Sequence, residues 1–253
     1  MARKAAGGDG FIPFLVAGDP DLKTTGEILL ALSSLLPVAI EVGVPFSDPT
    51  ADGPVIQRAA ERALEQGTSL AGILKLLRGL RPHELAPMVL FSYYNPIFQF
   101  GIEAFARAAR KSGVAGVLVV DLPADSAAPL QKELRGHDID LIFLVTPTTT
   151  EVRLKQIARL ASGFIYGVAR TGVTGTAREL VDESEELVRR IRGATDLPVA
   201  VGFGITDRAQ AKRVCRYADA AVVGSRLVAE IENAAKKRRD VVRAARQCAQ
   251  QFV

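Results

Sequence analysis

From Phe11 onward the chain alternates between short apolar, β-branched runs and longer amphipathic stretches, and it does so eight times. Strand-like runs fall at 11–16, 38–44, 88–93, 115–120, 140–145, 163–168, 198–202 and 219–223. Helix-like stretches lie between them near 24–35, 54–65, 69–79, 103–112, 125–135, 150–161, 179–192 and 206–215, and a terminal helix is expected over roughly 225–250. A helical crossover returns the chain to a parallel strand. Eight such units in 253 residues predict an α/β fold of the (β/α)8 TIM-barrel kind, a single domain over 1–253. A doubly wound open sheet is the alternative, but it usually has fewer strands and a dinucleotide fingerprint. No GxGxxG follows the first strand.

Composition narrows the class. With 48% hydrophobic and 24% charged residues the chain reads as an ordinary soluble globular protein. Part of the net charge of +4 sits in Lys236, Lys237, Arg238, Arg239, Arg243 and Arg246. No aromatic residues interleave there to stack on bases, so the run reads as the solvated face of a last helix, not a nucleic-acid patch. Cys215 and Cys248 form neither a CxxC nor a zinc spacing. No signal-peptide core stands at the N-terminus and no run has the length of a membrane span, so a cytoplasmic protein is expected.

The second strand carries an acid in an apolar run. Val38, Ile40, Val42 and Val44 share one face, and Ala39, Glu41 and Gly43 the other. The β-branched face suits the helical shell, which turns Glu41 into the barrel. Gly43 beside it is expected to leave space for a ligand. A buried carboxylate is costly unless something is gained from it, although a salt-bridged structural glutamate is the plainer reading. The strand then breaks into a Pro/Gly-punctuated loop with Asp48 and, eleven positions after Glu41, Asp52.

Active sites of such barrels lie at the C-terminal strand ends. Gly202-Phe203-Gly204 and Gly224-Ser225 each stand between a strand and a helix start. Glycine lets a ligand approach the backbone, and helix N-termini favour anions. Their place after strands 7 and 8 favours phosphate over simple tight turns. Gly175 is a further candidate. Asp19 and Asp21 read as turn and N-cap residues. Asp48 reads as a loop organiser. Asp121 could touch ligand or accept backbone N–H bonds at the rim.

Other chemistries fall away. His83 and His137 precede strands 3 and 5, at the opposite end of the barrel, so no Ser-His-Asp or Cys-His site forms at the rim. No zinc ligand set or P-loop is present, and no lysine stands at a strand end for a Schiff base. Carboxylate acid/base catalysis on a phosphate-bearing substrate remains.

Seven segments, in order, carry a resemblance. They are Phe14 through Asp21; Glu41 through Pro54; Ser92-Tyr93-Tyr94-Asn95-Pro96; Asp121-Leu122-Pro123; Arg170-Thr171-Gly172-Val173-Thr174-Gly175; Gly202-Phe203-Gly204-Ile205; and Gly224-Ser225. Together they resemble the tryptophan synthase α-subunit family across nearly the whole chain. The resemblance implies a (β/α)8 barrel acting as a lyase, with metal-free and cofactor-free retro-aldol cleavage of indole-3-glycerol phosphate to indole and glyceraldehyde 3-phosphate. Glu41 matches the family's catalytic glutamate, which protonates indole C3 and helps deprotonate the glycerol hydroxyl. Asp52 matches the aspartate at the indole N–H. Tyr166 matches a tyrosine near the glutamate, and Thr174 a threonine of a closing loop. Phe14, Tyr93 and Phe203 would line the indole and glycerol region. Gly175, Gly202, Gly204, Gly224 and Ser225 match the phosphate-binding set.

The resemblance also implies a partner. A β subunit carrying pyridoxal phosphate would receive indole and join it to serine, completing L-tryptophan in an α2β2 heterotetramer. Rim loops around 45–54, 93–101 and 170–178 would form the contact, with Pro45, Asp48, Pro49, Asn95 and Pro96 as candidates. Two departures stand out. Only ten residues precede Phe11, where members usually carry a helix that closes the barrel bottom, so a more open bottom is expected. Ala169 stands where a serine is common. The competing readings are a stand-alone indole-3-glycerol phosphate lyase, another phosphate-binding barrel of the histidine or tryptophan routes, and a non-enzymatic subunit that mainly activates or binds its partner.

Overall fold

Eight parallel strands close on themselves in the computed structural model, which describes residues 10–80, 85–168, 177–202 and 204–253. They are β1 (Phe11–Val16), β2 (Ile40–Gly43), β3 (Met88–Ser92), β4 (Val114–Val119), β5 (Asp140–Val145), β6 (Ile165–Val168), β7 (Val199–Gly202) and β8 (Ala220–Val223). Each pairs with its neighbours in chain order, and β8 returns to β1 with Phe11 opposite Ala221. Closure leaves no sheet edge open. The expected barrel is the observed one, with strand ends shifted by at most two residues.

The helices are α1 (Leu22–Ser33), α2 (Pro54–Glu65), α3 (Leu70–Gly79), α4 (Tyr94–Phe100), α5 (Ile102–Lys111), α6 (Ala128–Arg135), α7 (Glu151–Leu160), α8 (Ala177–Ala194), α9 (Arg208–Val214), α10 (Ser225–Lys236) and α11 (Val241–Gln250). Several starts are fixed by side chains that satisfy an otherwise orphaned N–H. Asp21 accepts from Thr24 N at 2.8 Å, Asp207 from Gln210 N at 2.8 Å and Asp240 from Arg243 N at 2.9 Å.

Two expectations change here. The terminal helix is two helices: Arg238 takes a positive φ of 51°, and Asp240 then caps α11. In addition, α4 occupies what reads in the sequence as a rim loop. Its Pro96 lies in the first turn, where a missing N–H costs nothing. Gly101, at φ 86°, separates α4 from α5.

Strand alternation produces two apolar layers. Leu15, Ile40, Val42, Leu90, Val117 and Val201 face the helices. Ile12, Phe14, Val89, Leu118, Ile142, Tyr166, Ala200 and Val222 fill the barrel. The phase read for β2 therefore holds for Ile40, Val42 and Val44. Val38, just ahead of the strand, packs instead against the interior cluster. At the N-terminal end, Ile12, Val38, Ala39, Val89, Ile142 and Phe164 help line a cavity of about 200 Å³. Residues 1–9, on which the expectation of an open bottom rests, lie outside the described residues.

Asp19 keeps its turn role, with its N–H bonded to Val16 O at 3.4 Å, and adds a second one. Its buried carboxylate takes two bonds from the Arg62 guanidinium, at 2.9 and 2.8 Å. Arg62 also donates to Glu232 on α10 at 3.0 Å, and Glu232 receives Arg58 and Lys236 as well. Those bonds, Arg58 first and Lys236 next, hold the Glu232 carboxyl down to about 2. Arg62 thus ties the β1–α1 loop, α2 and α10 together. Removing one partner of a buried pair leaves an uncompensated charge. Arg62→Met is expected to lower stability by about 3 kcal/mol in urea denaturation; a loss below about 1 kcal/mol, the worth of an exposed pair, contradicts this role.

Candidate active site

Glu41 sits mid-barrel on β2, opposite Phe14 of β1 and Val89 of β3. It is 0% exposed, and neither carboxyl oxygen has a hydrogen-bond partner among the described residues. The salt-bridged structural reading is thereby excluded for the described residues. Burial disfavours the ionised form and pushes the Glu41 carboxyl up to about 8. At neutral pH the side chain is mostly a protonated acid, able to donate.

The space expected beside Gly43 is already filled. A Cβ at Gly43 would stand 2.8 Å from Phe14 Cζ and 3.2 Å from the Leu15 carbonyl oxygen. Gly43 is small because the Phe14 ring needs its place. That ring also lies beside Gly224, where an added Cβ would meet Phe14 Cδ1 at 3.4 Å, and it packs edge-on against Phe91 at 5.2 Å. Phe14 is thus the floor between Glu41 and the start of α10.

Tyr166 on β6 is also buried. Its phenol is pushed well above the ordinary tyrosine range, first by burial and then by Glu41. Its hydroxyl occupies the position a side chain at Gly202 would need. The absent side chain at 202 therefore serves Tyr166, whatever else approaches its backbone. Gly204 takes a φ of +72°, which favours glycine. Gly224 precedes the first turn of α10, and the exposed Ser225 opens that helix. Its leading N–H groups have no acceptor within the helix. Thr174, Gly175 and Phe203 lie outside the described residues.

Asp52 ends the loop after β2, at the start of α2. It is half-buried, and burial raises its carboxyl to about 6 against the lowering effect of Tyr93. The Tyr93 hydroxyl donates to Asp52 Oδ2 at 3.2 Å. Gln57 on α2 donates to the Asp52 carbonyl at 2.9 Å. Asp48 does organise the loop, accepting from Ser47 Oγ at 2.7 Å and, through its carbonyl, from Thr50 N at 2.9 Å. Asp121 takes the second of its two readings: it accepts Tyr94 N–H at 2.7 Å and fixes the start of α4.

Two residues with a bearing on the site escape sequence reasoning. Phe46 stacks on Tyr93 at 4.9 Å between centroids, and Phe98 on α4 is 58% exposed at the rim. The aromatic spacing after Pro96 was the available signal for the second. Among the described residues, no group of three or more His, Cys, Asp or Glu is placed to hold a metal. No helix among them is long and apolar enough to cross a membrane.

The site can thus present a neutral acid deep in the barrel and a second carboxylate at the rim, with aromatic rings nearby. The sequence profile of the family described as "Tryptophan synthase alpha chain" matches residues 1–253. A tryptophan synthase alpha chain from Neisseria meningitidis is 46% identical over 93% of this chain and 91% of its own length. One from Citrifermentans bemidjiense is 48% identical over 90% and 86% respectively. The crystal structure of a tryptophan synthase subunit alpha from Legionella pneumophila superposes with a TM-score of 0.91 at 32% identity, covering 99% of this chain and 94% of that one.

The packing at 202 and 224 makes a paired prediction. Gly202→Ala drives a methyl into Tyr166 and is expected to cost about 1–3 kcal/mol as overpacking. Gly224→Ala meets only an ordinary contact and is expected to cost less. Urea denaturation of both variants checks this; equal losses contradict the claim that Tyr166 occupies the 202 position.

Proposed function

Because the chain belongs to the tryptophan synthase alpha chain family, it is a lyase that cleaves indole-3-glycerol phosphate to indole and glyceraldehyde 3-phosphate, and we propose how its residues divide that reaction. Cleavage needs a proton on indole C3 and the loss of one from the adjacent glycerol hydroxyl. Glu41, protonated at neutral pH, donates to C3. The ring nitrogen then carries positive charge, and the ionised Asp52 stabilises it at the N–H. The carboxylate left on Glu41 accepts the hydroxyl proton as the carbonyl forms. The electrons of the C3–C bond return to the ring, and Glu41 ends as it began. Two carboxylates take two roles because their surroundings differ.

The observation that carries this reading is the fully buried Glu41 carboxyl with no partner among the described residues. Such a group is costly in a barrel core unless a substrate completes it. Phe14, Tyr93, Tyr166 and Phe203 line the indole and glycerol region in this proposal. Gly175, Gly202, Gly204, Gly224 and Ser225 surround the phosphate, and Thr174 closes over the site. The family uses no cofactor of its own.

Membership implies a β-subunit partner. We place that contact at the rim, on the 45–54 loop and on α4, where the exposed ring of Phe98 offers apolar surface. An α2β2 assembly, pyridoxal phosphate in the β subunit and a cytoplasmic location complete the proposal. Family membership does not favour the stand-alone lyase.

Glu41→Gln is expected to lower indole release by about 10²–10⁴, the usual contribution of a general acid–base group, while substrate still binds. Asp52→Asn is expected to lose most activity. Indole release measured with and without an added β subunit checks both, and the β subunit is expected to raise the wild-type rate. Normal cleavage by Glu41→Gln removes the proposed mechanism. A high rate for the isolated chain, unchanged by the β subunit, restores the stand-alone reading.

A further inference from the structure

Tyr93 stands at the end of β3, 3% exposed, and its hydroxyl makes two bonds to the 46–53 loop. It accepts the Ala51 N–H at 2.9 Å and lies 3.2 Å from Asp52 Oδ2. A backbone N–H can only donate, and a phenol has a single hydrogen. With a lone pair engaged by Ala51, the phenolic hydrogen is free to point at Asp52. The carboxylate form of Asp52 accepts that hydrogen most strongly. The Tyr93 ring is itself held, stacked on Phe46 at 4.9 Å and 27°. The next residue is anchored too, since Asp121 takes Tyr94 N–H. The loop and the end of β3 thus meet at the Tyr93 hydroxyl, and the exit of β4 holds the residue that follows it.

We propose that Tyr93 is a positioning residue for the cleavage reaction: its hydroxyl holds the Asp52 carboxylate ionised and oriented, leaving the other carboxylate oxygen for the substrate N–H. This rests on the role given to Asp52 above and goes beyond treating Tyr93 as a wall of the pocket. Burial works against ionisation of Asp52, and the Tyr93 bond works in its favour. Other charges face this pair. Asp121 acts on the phenol from the end of β4. Asp48 lies in the same loop and is bonded to Ser47. Glu41 lies deeper on β2.

The test is Tyr93→Phe, which keeps the ring and its stack but removes the hydroxyl. Two readouts are taken: the pH profile of kcat/KM for indole release, and the Asp52 carboxyl titration followed by 13C NMR, assigned with Asp52→Asn. The expected result is an upward shift of about one pH unit in both the acidic limb and the Asp52 titration, the scale of one charge-assisted hydrogen bond. A KM change with both curves unmoved shows Tyr93 to be pocket lining only and overturns the proposal. Full activity of Asp52→Asn overturns instead the role given to Asp52. The NMR titration still reports on the Tyr93 bond in that case, so the two failures are distinct.

Discussion

An acid held in the barrel interior without a hydrogen-bond partner among the described residues is the constraint around which the rest of this structure is arranged. Glu41 is destabilising when ionised, and the sign of the effect follows from its raised pKa. The folded chain holds the Glu41 proton more tightly than the unfolded chain does. Stability therefore falls as pH rises from about 4.5 toward about 8, the values without and with burial. By neutral pH the loss is on the order of a few kcal/mol, a large part of a domain's margin. The barrel tolerates this with a closed sheet and two apolar layers around the strand that carries the acid.

Neighbouring positions are shaped to it. Gly43 makes room for Phe14, which faces Glu41 across the β1–β2 pairing; Gly202 makes room for Tyr166, whose phenol feels the same acid. At the rim, Asp52 ends the loop that leads into α2, and Arg62 on that helix binds Asp19 and Glu232. The helix that follows the loop bearing the second carboxylate and the helix beginning at Ser225 are joined at Glu232 by two guanidiniums, those of Arg58 and Arg62. That link gives the indole end and the phosphate end of the proposed substrate site a shared frame.

Much of this is legible in the sequence, and the rest is not, for physical reasons. The barrel follows from eight strand–helix repeats, and the inward turn of Glu41 from strict alternation along β2. Alternation gives the direction of a side chain but not its neighbours, so the hollow beside Gly43 reads as ligand space until Phe14 is seen in it. Local patterns are incomplete where long-range pairs decide: Asp19 reads only as a turn residue because its partner Arg62 lies 43 positions away. Asp52 gives no local sign of the Tyr93 hydroxyl that bonds it, because Tyr93 lies 41 positions away. The break between α10 and α11 turns on one residue at positive φ, Arg238, a type that gives no such signal in sequence.

The central claim is that Glu41 is a neutral acid at working pH because the barrel desolvates it. Titration of 13C-carboxyl glutamate by NMR, comparing the wild-type protein with Glu41→Gln, measures this directly. The account predicts one glutamate resonance, missing from the variant, that titrates near 8. If the resonance lost in the variant titrates near the ordinary 4.5, Glu41 is ionised at neutral pH and cannot be the proton donor proposed here.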